Sequence, residues 1–79
     1  MDKVQKFVRK LGRREASRVL DAIARIRAGE LEAFDVKKLK GSSDQYRVRL
    51  GRVRILFTKV DGHNVIADVQ FRGDHTYLT

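Results

Sequence analysis

Four arginines fall close together in the stretch Tyr46 to Phe57, YRVRLGRVRILF: Arg47, Arg49, Arg52 and Arg54. A guanidinium is planar, offers paired N–H groups that match phosphate oxygens, and stays charged at any physiological pH. Residues of this type at this spacing point to binding a phosphodiester and to offsetting charge that develops on it. Lys38 and Lys40 precede the group and Arg72 follows it. The tail FRGDHTYLT then adds His75, a side chain that moves protons near neutral pH, and Tyr77, which is able to stack on a base or hydrogen-bond a ribose hydroxyl. His63 sits in an Asp-Gly-His-Asn stretch and reads as a turn residue.

Placing these groups requires strands. Successive side chains of a strand point to opposite faces, so Tyr46, Val48 and Leu50 share one face while Arg47 and Arg49 share the other. Strands are expected over 45–50, 53–59 and 64–72, with turns at Gly51 and at Asp61-Gly62. Tyr46, Val48, Leu50, Val53, Ile55, Phe57, Val65, Val69 and Phe71 would then line an apolar side, and Arg47, Arg49, Arg54 and Arg72 would emerge together on the other.

The apolar side needs a cover, and the first third of the chain supplies one. Val4, Phe7, Val8 and Leu11 lie at helical spacing over residues 3–11, and Ala16, Val19, Leu20, Ile23 and Ile26 mark a longer helix from Arg13 to Ala28, with Gly29 as its stop. Gly12 between them favours an antiparallel hairpin. The segment ELEAFDVKKLKGSSD reads as an ordered crossing loop. The fold class expected is therefore α+β: an N-terminal helical hairpin packed on a C-terminal antiparallel three-stranded sheet.

Length and charge agree with a single domain over residues 1–79, with one modest core. The net charge is +8, and the segment from Lys37 to Lys59 holds eight cations against Asp44 alone. Charge so concentrated suits a polyanion, nucleic acid rather than a membrane, because it falls on strands and a loop instead of an amphipathic helix; a solvated, solubilising face is the plainer alternative. There is no cysteine and no histidine cluster, so neither disulfides nor a zinc site is expected. No apolar run approaches the roughly 18 residues of a membrane span, and MDKVQKFVRK lacks an export signal's apolar core, which points to a soluble, cytoplasmic protein.

The stretches VKKLKGSSDQYRVRLGRVRILF and VIADVQFRGDHTYL together resemble the RelE/ParE superfamily of toxin–antitoxin toxins. The shared pattern is a Lys-Leu-Lys-Gly lead-in, an aromatic-basic-apolar-basic strand, a turn, an arginine in the next strand, and a basic residue followed by a tyrosine near the end. RelE-like members cleave mRNA on the ribosome without metal, whereas ParE-like members inhibit DNA gyrase. Carried over by position, the resemblance assigns the basic pair to Arg47 and Arg49, the phosphate-binding arginine to Arg54, the late basic residue to Arg72 and the terminal tyrosine to Tyr77. It implies attack of a ribose 2′-OH on the adjacent phosphate, leaving a 2′,3′-cyclic phosphate and a free 5′-OH, with no cofactor.

Within that reading Arg54, Arg72, His75 and Tyr77 are the catalytic candidates, and Lys38, Lys40, Arg47, Arg49 and Arg52 the substrate-binding ones. Relatives with lysine in the first pair differ from this chain, whose arginines hold their protons too tightly to act as a base, leaving proton transfer to His75 or Tyr77. The resemblance also implies a cognate antitoxin and mRNA on the ribosome as partners. Family members usually place a strand before the helices; here helix follows Met1 almost directly, so the sheet is expected one strand short, with an edge open to strand addition by a partner or a second copy. A ParE-like gyrase inhibitor and a non-catalytic RNA- or ribosome-binding module are the alternatives.

Overall fold

The computed structural model describes residues 2–72, so Asp74, His75 and Tyr77 lie outside the described residues. Two helices, α1 (Lys3–Arg9) and α2 (Arg13–Ala28), precede four strands: β1 (Asp35–Lys38), β2 (Gln45–Leu50), β3 (Val53–Val60) and β4 (His63–Phe71). The Asp2 carboxylate accepts from the Gln5 amide at 2.8 Å and so starts α1, satisfying one of the donors a helix leaves open. Past Arg9 the Lys10 and Leu11 amides bond the carbonyls three residues back, a tightened last turn that ends α1 sooner than its apolar stripe suggests. α2 stops where Gly29 takes φ 80°, a left-handed conformation that glycine adopts without steric cost.

The strands form one antiparallel sheet in the order β1-β2-β3-β4. This corrects the three-stranded expectation: part of the supposed crossing loop is a strand. Asp35–Lys38 carries a single apolar residue, Val36, which stands opposite Val48. One apolar residue gives no visible alternation, and the surrounding charges are what an exposed edge strand carries to discourage stray pairing.

Phe7, Val19, Ala22, Ile23 and Ile26 from the helices meet Val48, Val53, Ile55, Phe57 and Val69 from the sheet in a single buried cluster. Tyr46, Leu50, Ile66 and Phe71 pack against its margin. A second correction concerns β4. The pairing of β3 with β4 shifts between Leu56 and Phe57, so that Phe57 opposes Ile66 while Leu56 opposes Asp68, leaving Ala67 as the extra residue of a bulge. An inserted residue reverses the facing of everything beyond it. Ile66 therefore takes the inward place, and Val65, expected inside, is 49% exposed on the outer face. The same shift turns Asn64 toward α2, where its amide donates to the Ile26 carbonyl at 2.8 Å and satisfies an acceptor at the helix end.

Candidate nucleic-acid interface

Register, more than proximity in sequence, brings the basic residues together. Gly51 takes φ 58° at the first position of a two-residue loop, as a tight hairpin of the II′ kind requires, and Leu50 pairs with Val53 across it. That pairing sets Arg49 directly opposite Arg54. On the flanking strands Asp35 stands opposite Arg49 and Gln70 opposite Arg54, so Asp35, Arg49, Arg54 and Gln70 form one row across all four strands. One step along lies a second row of Lys37, Arg47, Leu56 and Asp68. Alternation turns both rows away from the helices, because their neighbours Val48, Val53, Ile55 and Val69 are buried beneath α1 and α2.

The electrostatics of this face are uneven. The Arg47 side chain is only 12% exposed, and its Nη1 is buried without a hydrogen bond. Asp35 Oδ2 lies 3.9 Å from Arg47 Nη1 and 3.8 Å from Arg49 Nη1, close enough to lower the local potential but too far to hydrogen-bond either. One carboxylate thus serves two guanidiniums. Arg72 sits at the same end of the sheet: its amide extends the ladder to the Arg52 carbonyl at 2.7 Å, and its Nη1 donates to the Gly51 carbonyl at 3.0 Å.

Three of the residues singled out from the sequence lie elsewhere. Arg52 follows Gly51 in the turn and faces the helices, where its Nε and Nη2 donate to both Glu15 carboxylate oxygens at 2.9 and 2.8 Å and its guanidinium lies 4.8 Å from the Phe71 ring centre. The Glu15 carboxyl is held below its ordinary range chiefly by that hydrogen bond, reinforced by the charges of Arg52 and Arg18 and opposed by burial. Arg52 is raised in turn by the same partner. Lys38 pairs with Tyr46, on the side opposite Arg47. Lys40 lies beyond β1 in the connection to β2, at the far end of the sheet from Arg49 and Arg54.

His63 opens β4 opposite Val60 and is exposed. The residue missed from sequence is Asp35, which joins the site only through the register of β1. Among the described residues the arginine rows offer donors and positive charge suited to phosphate, and the described groups beside them are Asp35, Gln70, Lys37 and Asp68.

The architecture defined by these elements is an α+β fold, a helical hairpin over a four-stranded antiparallel meander. It is shared by a chain of a solved structure, the RelB–RelE antitoxin–toxin complex from Methanococcus jannaschii, with a TM-score of 0.71 over 86% of this chain and 82% of that one, at 21% sequence identity. No family model and no curated protein matches the sequence. Among the described residues no helix is long and apolar enough to cross a membrane.

Proposed function

We propose that this chain is the toxin of a toxin–antitoxin pair and cleaves mRNA on the ribosome, without metal, by 2′-OH attack on the neighbouring phosphate. The observation that carries the reading is the opposed pair Arg49 and Arg54, with Arg47 one rung away, on a face turned from the helices. The fold shared with a chain of an antitoxin–toxin complex supports it, as does the sequence pattern of the basic strands.

In the reaction the 2′-oxygen bonds to phosphorus and the P–O5′ bond breaks, so one proton leaves the 2′-OH and another reaches O5′. Arg49 and Arg54 serve the phosphate oxygens, where negative charge grows as the fifth bond forms. A guanidinium acts here as a fixed charge and not as a proton carrier. His75 and Tyr77 are assigned the proton transfers, on the sequence alone, and Arg72 supports them through charge. An antitoxin would restrain this activity by covering the basic face.

A second reading has its own support: the row across the four strands consists of Asp35, Arg49, Arg54 and Gln70, with no histidine or cysteine in it. A module that binds RNA or the ribosome without cutting would need nothing more. Ribosomes programmed with a defined mRNA separate the two. Cleavage within the decoding codon, leaving 5′-OH ends and lost at least tenfold in Tyr77→Phe or His75→Ala, supports the nuclease. Intact mRNA overturns it, with inhibited supercoiling then indicating a gyrase-directed toxin and ribosome binding alone indicating the module.

A further inference from the structure

Beyond the arginine face, an open groove of about 330 Å³ runs between α1 and the outer edge of β4, its lining including Lys3, Lys6 and Lys10 on the helix side and Asp68, Gln70 and Phe71 on the strand side. The lysines are spaced by three and four residues, which puts them on one side of the helix. Phe7 and Phe71 meet beneath them with ring centres 4.7 Å apart. Gln70 belongs to both places, since it lines the groove and stands opposite Arg54. Adjacent strands lie about 4.8 Å apart, so the groove begins roughly one strand beyond the arginine pair.

We propose that the α1 lysine stripe is a second anion-binding surface, which holds the phosphates of a single-stranded polynucleotide as it leaves the arginine row over the β4 edge. The proposal rests on the reading of that row as a polynucleotide site and adds to it the path of the strand. Lysine is suited to such a path: a mobile point charge follows a backbone without reading its sequence. Asp68 is part of the lining and its charge offsets one of the three lysines; its oxygens accept from the Val69 amide and from Gln70 Nε2 at 2.9 Å each, with Lys3 Nζ at 3.9 Å. An acidic peptide adding a strand is the competing occupant. It is less well matched, because an added strand would hydrogen-bond to β4, whereas the three cations of the groove stand on the helix side, where an evenly charged backbone meets them directly.

The test uses 2′-O-methyl RNA, which resists 2′-OH attack, as a labelled dinucleotide and a labelled decamer, with binding followed by fluorescence anisotropy across a salt series. Each phosphate neutralised on a single strand contributes about 0.7 to the slope of log affinity against log salt. Replacing Lys3, Lys6 and Lys10 together by glutamine should flatten the decamer slope by about 2 and leave the dinucleotide slope unchanged, while Lys6→Gln alone should flatten it by about 0.7. Melting curves of both variants check that the fold is intact.

A decamer slope unchanged in the triple variant overturns the lysine path while leaving the arginine row standing. Loss of binding to a ten-residue polyglutamate, with decamer binding intact, likewise overturns it in favour of a protein partner. If the unaltered protein binds neither RNA in a salt-dependent way, the polynucleotide reading of the arginine row fails, and the path fails with it.

Discussion

Arg49 and Arg54 face each other across the β2–β3 hairpin, two like charges at directly opposed positions of an antiparallel ladder. Such pairs destabilise a sheet, typically by a few tenths of a kcal/mol up to about 1. On the proposed function, an anion bound between the two guanidiniums would turn that repulsion into two charge-assisted hydrogen bonds.

Arg49→Gln should therefore separate binding from folding. The Arg49 side chain is 43% exposed and its described ion-pair partner is Asp35 at 3.8 Å, so its removal relieves repulsion and loses little; unfolding stability should stay within about 0.5 kcal/mol of the parent. Affinity for single-stranded RNA should fall about tenfold to a hundredfold, as expected for loss of a hydrogen bond to a charged group. Arg49→Lys should fall less, since it keeps the charge and loses only the fork. Equal RNA affinity in all three proteins would remove Arg49 from the site.

Asp35 is a built-in competitor for the same cations. Its carboxylate lies within 4 Å of both Arg47 and Arg49, and it is 58% exposed, so Asp35→Asn should cost less than about 1 kcal/mol of stability. RNA affinity at low salt should rise, by about threefold to tenfold, with a steeper dependence on ionic strength as one more phosphate is neutralised. Titrations at several salt concentrations give both quantities together. Weaker binding in this variant would mean that Asp35 holds the arginines in place and does not compete with the ligand.

These two residues also mark what the sequence discloses and what it withholds. Arg49 was legible: a run of alternating apolar and basic residues fixes the face of each side chain, and Gly51 fixes the turn that opposes it to Arg54. The helices were legible for a similar reason, since Phe7, Val19, Ile23 and Ile26 recur at helical spacing and all enter the core. Asp35 was not, because β1 holds one apolar residue and is a strand only by virtue of its partner β2. Val65 pointed the wrong way because a bulge leaves no mark in an apolar-polar pattern; in VIADVQF either register looks equally good until β3 selects one. Arg52 looked like its neighbours, yet the turn it occupies sends it across the hairpin to Glu15, and nothing local announces a partner 37 residues away.

That long-range pair sets a pH dependence for the hairpin that presents Arg49 and Arg54. Glu15 lies in the first turn of α2, and Arg52 in the β2–β3 turn, so their bidentate contact ties the start of the helix to the loop. The folded state lowers the Glu15 carboxyl below its ordinary value of 4.5, chiefly through the Arg52 hydrogen bond. A carboxylate lowered by folding favours the folded state wherever it is ionised. Its contribution is thus complete above the ordinary value and disappears as pH falls through the lower, folded one. Thermal melts of the parent and of Glu15→Gln from pH 7 to pH 3 should show the parent melting higher at neutral pH, with the gap constant down to roughly pH 5 and closing below it. Raising ionic strength should narrow the gap at neutral pH, since the Arg52 side chain is 65% exposed and salt screens its charge. A gap that stays constant to pH 3 would show that the parent gains its stability from something other than the ionised pair.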